Sequence, residues 1–469
     1  MKELNIFILF FLMLIKHSYS DDSQDKKYLV LNFKTNVNLK ELYELEEKDF
    51  LSKIFEQNIY VDVNVGEPPQ TIPMTLKIGE FPTFIFSSEI EDSRIQIKYD
   101  KDKSKTYQLL NRELITGLSK YDCSKGYYSN DTFSSNTMNS FFCFLLGTDQ
   151  GPGVLSKNIS GEIGLARINE GKDTQYLLYP PKTQFLKQLH EKSLIEQKMF
   201  GLVYDTEYEG RLIFGKYLHQ IDNNYKEEEI ISSLIEDPGT INNWNIDFEV
   251  KCQNREDNPK IYYQNSSNGD LLFETGFIIG TESFRVNFAK NYFKSKECYN
   301  ITSNKEFYYC DNEEKFADFP DIIFSVNGQY SFNFTKDDLF KKVGDKYYFL
   351  IAFEILFGKE ITSWRMGQPF FRKYAVFLND LEKRFEMSYY LNKKLHYKSK
   401  DDNSGLGTQA VVIIVLSCVV GILIVAIVVY FVYFYPKNRK KRAQELNDDY
   451  DYNAKEEPKD RLVDDGGLN

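Results

Sequence analysis

"NIYVDVNVGEPPQTIPMTLKIGEFPTFIFSS" occupies residues 58–88 of the 469-residue chain. In "NIYVDVNVG" apolar and polar residues alternate with the period of a half-buried strand. "GEPPQ" (66–70) breaks the pattern as a turn. "TIPMTLKIG" and "TFIFSS" then read as two further strands. Strands with short turns continue to about residue 170. "FLKQLHEKSLIEQKMF" (185–200) has helical spacing, and "FGLVYD" with "GRLIFGKY" reads as a hairpin. A second strand-rich half runs from about 244 to 391. Each half contains an apolar strand ending in x-x-Gly, "LKIG" (76–79) and "FETG" (273–276). This echo predicts an all-β ectodomain built as two duplicated lobes, about 58–215 and 216–391.

The flanks are of different composition. Residues 1–20 carry Lys2, the apolar run "NIFILFFLMLI", and Ser18 and Ser20 in a small-x-small arrangement, the pattern of a signal peptide. Residues 21–57 are charged, and "LKELYELEEKDFLSKIF" within them has the spacing of a short amphipathic helix. We expect them to be a propeptide or an N-terminal extension. Residues 392–409 read as a stalk. The uncharged stretch 410–435 would span about 39 Å as a helix, enough to cross a bilayer. "KNRKKR" (437–442) follows it, which places the polar, acidic tail 436–469 in the cytosol. The expected protein is single-pass, with its N-terminal part outside or lumenal, at the cell surface or in an endomembrane compartment. The net charge of -11 argues against a nucleic-acid partner.

Five cysteines precede the apolar run, and Cys418 lies within it. Cys298 and Cys310 are close enough in sequence to close a small loop. Cys123 with Cys143 is the other plausible pair, which leaves Cys252 over. Asn130, Asn158, Asn265, Asn300 and Asn333 each head an N-x-S/T glycosylation sequon. The four histidines, His17, His190, His219 and His396, show no metal-ligand spacing, so neither a metal nor a cofactor is expected.

From about 58 to 391 the ordered motifs resemble the pepsin-like aspartic peptidases. "YVDVNVGEPPQTIPMTL" resembles that family's opening strand, G-x-P-P-Q turn and next strand. "SGEIGLA" (160–166) resembles the apolar-apolar-Gly segment that crosses behind the first active-site loop. "LLFETGFIIGTES" (271–283) resembles the second active-site loop. "FPDIIFSVNGQYSF" and "SWRMGQPFFRKYAVFLNDLEKRFEMSY" resemble the last strands. The resemblance implies a bilobal, all-β pepsin-like (acid protease) fold with a long cleft, here followed by one C-terminal transmembrane helix. In that family two D-T-G loops meet at the cleft floor, and two aspartates share one proton to activate water.

In this chain the first loop reads Lys77-Ile78-Gly79 and the second Glu274-Thr275-Gly276. An ammonium cannot accept a proton from water, and a neighbouring Lys+ favours the carboxylate form of Glu274. The residues after each glycine, hydroxyl-bearing in the family, are Glu80 and Phe277. Lys77 and Glu274 are therefore expected to form an inter-lobe salt bridge rather than a catalytic dyad. Tyr121 is the nearest candidate for the family's flap tyrosine, and equally reads as a surface tyrosine. The expected function is that of a pseudoprotease, binding a peptide or protein in its cleft. The alternative is an active membrane-anchored endopeptidase pairing Glu274 with Glu80 or Asp270.

Overall fold

In the computed structural model, the alternating stretch after Asn58 folds as its periodicity dictates. In the strand Ile59–Val65, Ile59, Val61, Val63 and Val65 point inward, while Tyr60, Asp62 and Asn64 face outward. Gly66 follows at φ +85, a left-handed conformation that glycine adopts without strain, and a Cβ there would meet the Ser104 side chain. The chain returns as Gln70–Lys77, antiparallel to the first strand. The structure describes residues 27–394 except 36–57, 81, 92–94, 96, 112–114, 117–122, 136–137, 151–159, 168–182, 237–243, 303–304, 329, 356–359 and 382–383.

Two sheets account for the described strands, one of 14 and one of 11. Each contains the same four-strand unit. In the first, Gln70–Lys77 runs parallel to Gly161–Gly164, with Lys77 opposite Gly164. Gly161–Gly164 is antiparallel to Phe84–Phe86, which is parallel to Asn139–Gln150. In the second, Ile261–Leu271 runs parallel to Trp364–Met366. That strand is antiparallel to Ile278–Ile279, which is parallel to Ile351–Glu354. The echo between "LKIG" and "FETG" is thus a repeat of topology. Gly367 shows why the second crossing needs glycine: a Cβ there would lie 1.9 Å from the Phe277 carbonyl oxygen.

The division of the chain differs from the expected split at 215/216. Tyr374–Asp380 and Arg384–Leu391 belong to the 14-stranded sheet, paired with Met199–Tyr204 and with Ile231–Glu236. Tyr374–Asp380 is joined to the first-half strand Met199–Tyr204, so sequence order does not separate the sheets. Within the region expected as propeptide or extension, Leu29–Thr35 is an internal strand between Glu209–Phe214 and Ile59–Val65. Leu29, Leu31 and Phe33 are in the core, because "LVLNFKT" itself alternates. The amphipathic stretch that follows lies outside the described residues. The segment 185–200 is helical only over Phe185–Glu191. The turn after it places Ser193 at φ 55, and the last residues become the strand Met199–Tyr204.

Cys298 and Cys310 form a disulfide closing the hairpin of Tyr299–Thr302 with Lys305–Cys310. The expected Cys123–Cys143 pair is overturned by strand register. Cys123 lies opposite Gln150 and Cys143 opposite Asn130, about seven residues along the same hairpin. That is roughly 23 Å, far beyond disulfide reach. Cys252 is buried. Of the sequon asparagines, Asn265, Asn300 and Asn333 are exposed and Asn130 is half-buried. Asn158, Tyr121, the signal-like residues 1–20, the stalk, the apolar stretch 410–435 and the tail lie outside the described residues. Among the described residues, no helix is long and apolar enough to cross a membrane.

Candidate active site

The ends of the two repeated units meet. Lys77 closes its strand, and its carbonyl accepts a hydrogen bond from Leu165 N at 2.8 Å. The Glu80 carbonyl accepts from Ala166 N at 2.9 Å. On the other side, the Thr275 carbonyl accepts from Gln368 N at 2.8 Å, and the Met366 carbonyl from Leu272 N at 3.0 Å. Each loop is therefore held from behind by the crossing segment of its own unit, "EIGLA" or "RMGQ". The loops are joined directly: Ile78 N donates to Glu274 Oε1 at 2.8 Å.

Around this junction is a cavity of about 400 Å³. It is lined by Lys77, Ile78, Gly79 and Glu80 from the first loop, by Asp270, Leu271, Leu272, Glu274 and Thr275 from the second, and by Trp244 and Arg365. Lys77, Glu80, Asp270 and Glu274 are half-buried, and Ile78 is in the core. Neighbours fix several of these polar groups. Asp270 Oδ1 accepts from Asn245 Nδ2 at 2.9 Å. Arg365 pairs with Glu354 at 2.9 Å. The Trp244 indole donates to the Leu165 carbonyl at 3.1 Å, which fixes it as a wall.

Glu274 departs most from ordinary behaviour. Burial raises its pKa, and this outweighs the Lys77 charge and the main-chain N–H groups that lower it. The expected influence of Lys77 is present in direction, but the net shift is upward. Oε2 is shut off from solvent and has no hydrogen-bond partner among the described residues. Main-chain N–H groups of the first loop, Ile78 N among them, hold Glu274, and the Lys77 charge acts on it as well.

The remaining loop residues have structural duties. Thr275 Oγ1 donates to the Phe277 carbonyl at 2.6 Å and accepts from Phe277 N at 3.1 Å, bracing its own turn. Phe277 is fully buried, edge-on to Phe307 at 5.1 Å between centroids. It lies in an apolar cluster with Ile279 and Tyr348. Among the described residues, no group of His, Cys, Asp and Glu has an arrangement that would hold a metal ion.

Two strand-ended loops, each backed by a glycine-containing crossing segment and meeting across a cavity, form the geometry on which the comparison with known families bears. A family model described as eukaryotic aspartyl protease matches residues 58–388. The chain belongs to the eukaryotic aspartyl protease family. No curated protein sequence matches it. The match begins after Leu29–Thr35, so this chain inserts into its sheet a strand that the matched region does not include. Within the aspartyl protease domain, Lys77, Ile78, Gly79, Glu80, Glu274 and Thr275 line one cavity, and Phe277 is turned away from it. Sequence reasoning missed Arg365 and Trp244. The repeat could have found Arg365. It lies opposite Ile279 in the second unit, as Glu162 lies opposite Phe84 in the first.

Proposed function

We propose that this chain is a single-pass membrane protein whose aspartyl-protease-family domain binds a peptide or protein without cutting it. Lys77 and Glu274 stand where the two catalytic aspartates would be. Glu274 carries the argument. One of its oxygens accepts the Ile78 amide, and burial favours its neutral form. Its neighbour on the other loop is a cation that cannot share a proton as a second carboxylic acid does. Fold alone confers no activity, and the residues of the site decide. The uncharged stretch 410–435 supplies the membrane anchor in this reading, with the domain outside or lumenal and the basic "KNRKKR" side cytosolic.

One observation favours a second reading, that of a working endopeptidase. Glu80, Asp270 and Glu274 line a single cavity. Glu274 with its raised pKa would be the acid, and Asp270 or Glu80 the base. The test incubates the full chain in detergent with a mixed peptide library from pH 3 to 7, with a transition-state-mimic aspartic-peptidase inhibitor as control. The double substitution Lys77→Asp, Glu274→Asp runs beside it. We expect no inhibitor-sensitive cleavage by the wild-type chain. Such cleavage would establish the second reading and end the first. Activity gained by the double substitution would show that the two side chains silence an otherwise intact cleft.

A further inference from the structure

The terminal strands of the two sheets are not protected alike. A terminal strand presents unpaired main-chain N–H and C=O groups, and proteins guard such edges with lysine, proline, shortness or a covering group. Tyr330–Phe334, at one end of the 11-stranded sheet, is covered: the Tyr374 hydroxyl accepts from Asn333 N at 2.8 Å and donates to the Asn333 carbonyl at 3.0 Å. Phe340–Val343, at the other end, is four residues long and carries Lys341 and Lys342. Tyr299–Thr302 is as short and contains the Asn300 sequon. In the 14-stranded sheet, Gln108–Leu109 and Ile115–Thr116 have two residues each. Ile231–Glu236 has none of these guards. It runs six residues, "ISSLIE", without lysine, proline or sequon, and pairs with Arg384–Leu391 in unbroken register. Among the described residues no strand pairs with its other side, and no main-chain hydrogen bond outside that ladder involves residues 231–236. Alternate residues therefore direct N–H and C=O outward. Each face of this edge shows an apolar side chain: Ile231 is 40% exposed on one and Leu234 42% exposed on the other.

We propose that Ile231–Glu236 is a dimer contact, at which two copies of this chain join their 14-stranded sheets by antiparallel pairing of this strand with itself. A two-fold axis through Ser233 sets Ser232 opposite Leu234 of the partner subunit, and Ile231 opposite Ile235 of the partner subunit. The contact is isologous, so it closes at two copies. Residues 231–235, which pair across the axis, carry no charge, although the chain as a whole has a net charge of -11. What favours a second copy as the occupant is where the chain leaves the domain. Lys393 Nζ donates to Glu229 Oε1 at 2.6 Å, so the last described residues stand beside the Ile231 end of the strand. In the pair the two exits are roughly 30 Å apart along the ladder. A two-fold axis normal to the membrane holds them at one height. Residues 395–409 reach at most about 50 Å, enough for both copies to enter one bilayer. A single strand pair falls short of the roughly 1,200 Å² of a stable interface, so a soluble partner would be held weakly. A copy anchored in the same membrane meets the edge at a raised effective concentration. This placement rests on the single-pass reading above, and the strand pairing does not.

The test reconstitutes the full chain, labelled with donor or acceptor fluorophores, in lipid vesicles at increasing protein-to-lipid ratio. Energy transfer reads the dimer, and thermal melting checks that each variant folds. We expect transfer well above that of random co-localisation. Leu234→Lys puts a charge on the edge and should weaken association about tenfold or more. Val286→Lys, at a similarly exposed apolar position outside this edge, should leave it unchanged. Register is read separately. Chains carrying Ser232→Cys and chains carrying Leu234→Cys should form an intermolecular disulfide when mixed, severalfold more than either does alone. Transfer at the random level would overturn the proposal. So would transfer that Leu234→Lys leaves unchanged, which would put the contact elsewhere, and so would equal disulfide yields in mixed and single preparations. A chain that does not enter the vesicles would strike at the single-pass reading instead. The dimer is then read by sedimentation velocity at high protein concentration, where its absence, or its indifference to Leu234→Lys, still overturns the pairing.

Discussion

Glu274 and Lys77 give the site its pH behaviour. The pKa of Glu274 is raised above its ordinary 4.5, so the folded chain holds this proton over a range where the unfolded chain has lost it. Its contribution to stability is therefore full below the ordinary glutamate value and is lost as pH rises through the raised one. Glutamine keeps an acceptor for the Ile78 amide and carries no charge to bury. Glu274→Gln should flatten the fall in melting temperature as pH rises above the ordinary glutamate value, and should be the more stable chain at pH 7. A variant whose melting temperature falls as steeply as the wild type would show that burial of this carboxylate is not the cause. Lys77→Met has the opposite sign, because it removes the positive charge that lowers the Glu274 pKa. We expect a loss of about 2 kcal/mol at pH 7, below the cost of breaking a fully buried pair since Lys77 is half-buried. Most of that loss should vanish at pH 4, where Glu274 is protonated. A loss equal at both values would trace the effect to packing.

At the scale of elements, Leu29–Thr35 is the strand that departs furthest from expectation. Phe33 packs edge-on against Tyr204 at 4.9 Å between ring centroids and is 1% exposed. Phe33→Ala should cost about 3–5 kcal/mol, measured by denaturant unfolding. A cost below about 1 kcal/mol would mean the sheet holds without this strand. The sequence spoke clearly where alternation was strong and the turn chemistry explicit, as in "NIYVDVNVGEPPQ". It spoke clearly again where two glycine-ended strands echoed each other. It was silent where position depends on distant partners. "LVLNFKT" alternates well, yet nothing local says that its neighbours are Ile59–Val65 and Glu209–Phe214. The helix at 185 was legible in Phe185, Leu186 and Leu189, but not its end, where tertiary pairing draws Met199–Tyr204 into the sheet. The cysteine pairing failed for a related reason. Closeness in sequence suits the short Cys298–Cys310 loop, whereas along a long hairpin the same closeness puts Cys123 and Cys143 at different levels of the ladder. In the cavity, the loop residues were legible from their motifs, and Arg365 was hidden in a crossing strand whose apolar neighbours disguise it.

Across the whole molecule, the two sheets are fastened at a few mixed contacts. Trp244 stands at the start of the second sheet and packs edge-on against Phe200 and Phe385 of the first. Arg167 follows the first crossing segment and stacks over Trp244 and Phe385. Its guanidinium pairs with Asp380 at 3.3 Å and donates to the Arg384 carbonyl at 3.2 Å. Asp380 is nearly buried and also lies 3.8 Å from Lys198. Arg167→Met keeps the bulk and removes the charge. It should cost about 3 kcal/mol, because a buried carboxylate loses its best partner. It should also blunt the mutual cooperativity of the sheets, seen as a broader calorimetric transition. A sharp transition at the wild-type temperature would show that Trp244 alone suffices as the fastening.

The interleaving of the 14-stranded sheet also sets a timetable for biosynthesis. Leu29 pairs with Phe214, and Met199 pairs with Asn379. The earliest strand waits for more than 180 residues to be synthesised before one of its neighbours exists, and that neighbour's own sheet stays incomplete until the last strands arrive. Such distant pairings make folding slow, and they leave strand edges exposed meanwhile. A ribosome translating this chain thus presents a long-lived, unfinished β-surface, and quality-control factors that hold open sheet edges will meet the protein before any ligand does.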